Sequence, residues 1–116
     1  MVLNTTNRST ISTAVNVRAS IINLFETIKL LINDNTNTGI ILIRKIKEKL
    51  SRIDHAIEVF RKDNMKNLND SDKLALDLLK TEVMNFIISV DQKNKKELLK
   101  ETEHLLITAN LTLATG

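Results

Sequence analysis

The chain contains no proline, and only two of its 116 residues are glycine, Gly39 and Gly116. Sheet folds reverse direction roughly every eight to twelve residues and favour Gly, Pro, Asn and Asp at those turns. Here Asn and Asp must supply all the punctuation, which suffices for a few long helices and not for many short strands. Proline would also remove a backbone donor and clash with the preceding helical turn, so its absence leaves helix interiors uninterrupted. Both facts point to an all-α fold.

The apolar residues fit that reading. Hydrophobic residues make up 42% of the chain, but aromatics only 3%, with no Trp or Tyr. Leu and Ile side chains interdigitate well between helices and offer little for stacking on bases or sugars. At this length one domain, residues 1–116, can bury a core unaided. No Cys is present, which removes disulfides, thiolate nucleophiles and Cys-ligated metals. No apolar run approaches the roughly 20 residues of a membrane span. No basic segment leading into an apolar one opens the chain, so a secretory leader is not expected and the cytoplasm is. From Met1 to Phe25 the chain has Arg8, Arg18, many Ser, Thr and Asn, and no acid. That composition resembles a transit peptide, but it runs on smoothly into a helical pattern and is read as helix.

Residues 1–8 are polar and expected to be disordered. From about Ser9 to Asn33, Ile11, Ala14, Val15, Ile21, Ile22, Phe25, Ile28 and Ile32 recur at helical spacing. "NDNTNTG", Asn33 to Gly39, is the clearest loop. Over Ile40 to Lys66 the inward set is Ile43, Ile46, Leu50, Ile53, Ile57 and Phe60. "NLNDSD", Asn67 to Asp72, breaks that pattern, with Asp70 or Ser71 as cap and Asp72 at the next helix's positive end. A third helix to Val90 turns Ala75, Leu78, Leu79, Val83, Phe86, Ile87 and Val90 inward. A fourth turns Leu98, Leu99, Leu105, Leu106, Ala109 and Leu113 inward, and Asn94 with Glu97 has capping-box spacing. With neither Gly nor Pro at this last junction, the third and fourth helices could run together. The expected fold is therefore an antiparallel up-and-down bundle of three to four helices.

The net charge of +3 is unevenly spread. Residues 39–67 hold eight basic and four acidic groups, while residues 68–91 hold two and five. A basic helix followed at once by an acidic one favours antiparallel neighbours whose flanks attract. Each exposed pair adds only about 0–1 kcal/mol, so this selects an arrangement more than it stabilises one.

No catalytic, metal or nucleotide constellation stands out. His55 and His104 lack the companion ligand four residues away that a zinc helix shows. Glu97 and Glu101 share a face with Lys100, an ordinary solvated pattern. No glycine pattern could cradle a phosphate. The chain is expected to be no enzyme and to need no cofactor or metal.

The first helix is the unusual one. With Ile11 at heptad position a, apolar residues fill a, d, e and also g, through Val17, Leu24 and Leu31. Its outer positions are mostly uncharged Ser, Thr and Asn, and Arg18 falls on the apolar stripe itself. Such a helix needs cover on more than one side. The expected function is a non-enzymatic, adaptor or chaperone-like bundle that binds another protein, or a second copy, through Val17, Arg18, Leu24 and Leu31. The second helix offers a variant of this. Its a/d repeat lasts about three heptads and places Asn64 at an a position, so a homodimer seam is an alternative to packing within one chain. The alternative function is nucleic-acid binding by Arg44, Lys45, Lys47, Lys49, Arg52, Arg61 and Lys62. Against it, Glu48, Asp54, Glu58 and Asp63 are interleaved with those cations, whereas phosphate binding asks for a one-signed face.

Overall fold

The computed structural model describes the backbone of residues 2–113 and the side chains of residues 17–113. Disorder over residues 1–8 and the inward placement of Ile11, Ala14 and Val15 lie outside the fully described residues. Four helices follow one another: α1 (Val2–Asn33), α2 (Gly39–Asp63), α3 (Asp70–Ser89) and α4 (Lys95–Leu113), with a single 3-10 turn at Val90–Gln92. Helix α1 packs against both α2 and α4, α2 against α3, and α3 against α4. Short connections and this ring of neighbours make an antiparallel up-and-down bundle.

Each helix buries one aliphatic stripe. These are Ile21, Phe25, Ile28 and Ile32 on α1, and Leu42, Ile46, Leu50, Ile53, Ile57 and Phe60 on α2. Leu76, Leu79, Val83 and Phe86 follow on α3, and Leu98, Thr102, Leu105, Ala109 and Leu113 on α4. Burying one such aliphatic side chain stabilises by about 1.5–3 kcal/mol. The a/d residues of α2 are thus spent inside the chain, not on a seam with a second copy.

Three inward assignments change. Leu78 is exposed and Leu76 takes the core position. The buried stripe steps by three and four residues through Leu76, Leu79, Val83 and Phe86, and at about 100° per residue Leu78 falls on the far side of Leu79 from Leu76, off that stripe. On α2 the fully buried residue is Leu42, with Ile43 half-buried beside it. On α4 Thr102 is fully buried, its hydroxyl donating to the Leu98 carbonyl at 2.7 Å. A hydroxyl satisfied by its own helix can sit in an apolar core without an outside partner.

The helix ends are written largely in asparagine. Asn94 and Glu97 form the expected reciprocal cap: the Glu97 N–H donates to Asn94 Oδ1 at 2.9 Å, and the Asn94 N–H to Glu97 Oε1 at 3.1 Å. With the extended Lys93 before it, this cap separates α4 from α3. The cap of α3 is Asn69, not Asp70 or Ser71: its Oδ1 accepts from the Asp72 N–H at 2.7 Å. Asp70 and Asp72 then occupy the first turn, where carboxylates favour the positive end of the helix. Asn64 is buried at the end of α2 and donates its Nδ2–H to the Phe60 carbonyl at 2.9 Å. Its own carbonyl accepts from the N–H groups of Asn67 and Leu68. It closes a helix and turns the chain.

At the other end of α2, the Thr36 N–H and hydroxyl both donate to Asp34 Oδ1, at 2.9 and 2.7 Å. These bonds hold the Asp34 carboxyl below its usual range. Gly39 follows with a φ of +56°, a left-handed conformation that costs other residues about 1–2 kcal/mol.

Two substitutions test these devices by urea denaturation. Asn94→Ala removes a cap and is expected to lower stability by about 1 kcal/mol. Thr102→Val keeps the shape and removes a hydroxyl bonded only within its own helix, so it is expected to stay within about 1 kcal/mol of the wild type.

Candidate binding surfaces

Helix α1 has two partners in the bundle, and its heptad divides between them. Arg18 and Lys29 lie on the side of α4: Arg18 Nη2 donates to Asn110 Oδ1 at 3.1 Å, and Lys29 Nζ is 3.9 Å from Glu103. Val17, Leu24 and Leu31 stand on the opposite flank at 100° per residue, which is the side of α2. All three are half-buried and packed against the core. Arg18 is exposed and takes an amide, not a buried acid, as its partner. The apolar positions of α1 thus divide between two neighbours in the same chain, with Leu30 left 71% exposed.

The α2 cations divide along the helix. Toward its C-terminus they are engaged. Arg52 meets Glu48 at 3.0 Å, Lys62 meets Glu58 at 3.9 Å, and Arg61 Nε reaches Asp77 of α3 at 3.0 Å. From α3, Lys80 reaches back to Glu58 at 3.0 Å and Asp54 at 3.6 Å. The expected attraction between the two helices is present, though it includes a cation on the acidic helix and acids on the basic one. Toward the N-terminus of α2, Lys45 donates to Asn37 Oδ1 at 2.9 Å. Among the described residues, Arg44, Lys47 and Lys49 take no part in an ion pair. Sequence interleaving alone does not reveal this: Glu48, one turn from Arg44, pairs with Arg52 instead, and Asp54 and Glu58 are also met by Lys80 of α3.

The surface that periodicity missed is the outer face of α3. Leu74, Leu78, Met84 and Ile88 are each between 47 and 69% exposed. Thr81 and Asn85 lie among them, and both are exposed. The one charge in this strip, Asp77, is directed to Arg61. Apolar residues therefore line two sides of α3, and only one side has a neighbour. The signal was the run "KLALDLLK", in which alternate leucines cannot share a helix face. Ile107 and Leu111 on α4 are also exposed, at 61 and 71%.

Between α3 and α4 lies a shallow cleft of about 280 Å³, lined by Glu82, Asn85, Phe86, Ser89, Lys93, Glu101 and His104. His104 Nε2 stands 3.7 Å from Glu82 Oε2, too far for a hydrogen bond. Among the described residues no three His, Asp or Glu side chains converge to hold a metal ion, and no helix is long and apolar enough to cross a membrane. Comparison with known protein families, with curated proteins and with solved structures finds no match for this chain.

The α2–α3 ion pairs generate a pH prediction. The hydrogen bond from Lys80 lowers the Glu58 pKa from its ordinary 4.5, and the same bond raises that of Lys80 from 10.5. A depressed carboxylate stabilises above its unfolded value and loses that effect as pH falls through its folded value; a raised amine does so below its unfolded value and loses it as pH rises through its folded one. Lys80→Met should therefore melt below the wild type throughout the range between 4.5 and 10.5. The gap should narrow on acidification below that range and on alkalinisation above it. Thermal melts across pH read the difference directly.

Proposed function

We propose that this chain is a non-enzymatic helical-bundle protein that binds another protein, or a second copy of itself, through an apolar helix face. The observation that carries the reading is the outer strip of α3, where Leu74, Leu78, Met84 and Ile88 are exposed with only uncharged polar residues and one internally paired acid among them. Soluble monomers rarely leave contiguous apolar surface uncovered unless it meets something. An interface core depleted of charge and rimmed by polar groups matches this composition. The rim is supplied by Lys80, Glu82 and the Arg61–Asp77 pair.

The strip on α3 has better support than Val17, Leu24 and Leu31 on α1. Those three already pack against the chain's own core, so a partner could reach only their edges. Arg18 stays accessible on the α4 side of that helix. The nucleic-acid reading has less support. Of the seven α2 cations, Arg52, Arg61 and Lys62 are in ion pairs and Lys45 is bonded to Asn37. Each would have to leave its partner to neutralise a phosphate.

Light scattering across protein concentration, beside a pull-down with tagged protein, tests the reading. The expected outcome is a concentration-dependent dimer or a retained protein partner, either one lost in Leu78→Ser/Ile88→Ser while circular dichroism stays helical. Association should be nearly insensitive to salt, because the surface is apolar. A wild type that stays monomeric and retains nothing would overturn it, as would association that the double variant leaves intact.

A further inference from the structure

One end of the bundle combines features that the proposed α3 surface does not use. The α1–α2 and α3–α4 connections meet there: the 3-10 turn packs against α2, and both Lys45 and Lys95 act on the Asp34 carboxylate. Counting residues 34–49 and 90–97, this end holds seven basic and four acidic groups, a net +3 that equals the charge of the whole chain. Three of the four acids are already engaged. Asp34 bonds to Thr36, Glu48 pairs with Arg52, and Glu97 closes the cap of α4.

At the same end Ile40 and Ile41, in the first turn of α2, are 74 and 60% exposed. Arg44 lies one turn along from both, and Lys47 one further turn from Ile40, so the four share the outer face of the helix. Arg44 is exposed and Lys47 half-exposed, and neither is in an ion pair among the described residues. Two branched aliphatic side chains at a tip, backed by uncompensated cations, differ from the α3 strip in chemistry. A nucleic-acid duplex would use the cations and gain nothing from two exposed isoleucines. A protein partner would have to bring its own carboxylates. A bilayer leaflet with anionic lipids supplies both negative charge and an apolar layer at once.

We propose that this end of the bundle docks on an anionic membrane surface, with Ile40 and Ile41 entering the headgroup layer and Arg44 and Lys47 meeting the lipid phosphates and carboxylates. The contact is peripheral and reversible. Two aliphatic side chains insert too little apolar area to anchor the protein alone, and the cations alone would give binding that salt abolishes. The two contributions act together. Lys93 on the neighbouring α3–α4 connection and Lys96 in the first turn of α4 add attraction within a Debye length of the surface.

Co-sedimentation of the full chain with vesicles tests this. Phosphatidylcholine vesicles containing about 30% phosphatidylserine are compared with pure phosphatidylcholine at about 50 mM NaCl. The expected result is pelleting with the serine-containing vesicles only, with Ile40→Ser/Ile41→Ser and Arg44→Glu/Lys47→Glu each weakening partitioning by about tenfold or more. All four side chains lie outside the core, so both variants should keep wild-type helicity and melting behaviour. Leu78→Ser/Ile88→Ser should pellet like the wild type, which separates this surface from the one on α3. No preference for the anionic vesicles overturns the proposal. So does wild-type pelleting by the isoleucine variant, or tighter binding to a short random DNA duplex, unaffected by the isoleucine variant, than to the vesicles.

Discussion

The burial of one aliphatic stripe from each of four helices is the constraint on which everything else rests. The chain has no disulfide, few aromatics and no Tyr or Trp to anchor a buried polar contact. Its stability must come from removing Leu, Ile and Val surface from water, at roughly 25 cal/mol for each Å². A single stripe on a single helix cannot do this. Four stripes converging from a closed ring of helices can, because each covers the others. Of the three buried polar residues, Thr102 and Asn64 each bond to a carbonyl of their own helix, and Asn37 bonds to the Asp34 and Lys45 side chains, so each is tolerated because it has a partner.

That ring also explains the helix ends. A chain with one internal glycine and no proline still has to reverse direction three times, and it does so with asparagine and aspartate side chains that imitate backbone partners. Asn69 and Asn94 each accept from an N–H that a helix start would otherwise leave free, Asp34 accepts from the Thr36 N–H within the loop, and Asn64 adds a second donor to the Phe60 carbonyl at the end of α2. The turns are therefore specified by hydrogen bonding more than by backbone freedom, with Gly39 the exception. Because the connections are short, neighbouring helices must be antiparallel, and Arg61, Asp77, Lys80 and Glu58 come within reach of one another.

The surface follows from what the core and the ion pairs consume. Charges on the facing flanks of α2 and α3 neutralise each other, which leaves the net positive charge at the end where the α1–α2 and α3–α4 connections meet. Apolar side chains that fit neither the core nor its flanks remain outside, among them those along α3, at the first turn of α2 and on the outer face of α4. The two proposed contacts are thus the residue of the same packing: a protein partner for the uncharged strip, and an anionic lipid surface for the charged tip.

Much of this was legible in the residues. The all-α class, the loop before Gly39, the α2 stripe from Ile46 to Phe60 and the Asn94–Glu97 cap all follow from local rules, because helical period and end-capping act within four residues of chain. What lay beyond reach was how many neighbours each helix has. Periodicity marks the inward face but cannot say whether the flanks beside it are covered. The g positions of α1, Val17, Leu24 and Leu31, look like a free surface by period alone and pack against the core, while on α3 the period counts Leu78 into the core stripe and leaves Leu74, Met84 and Ile88 unassigned. The same limit hid which cations are free: Lys80 sits more than twenty residues from Glu58 in sequence and 3.0 Å from it in space. Local chemistry decided that the chain forms these helices and where they stop. Only their mutual packing decided which apolar and charged groups remain for anything else to touch.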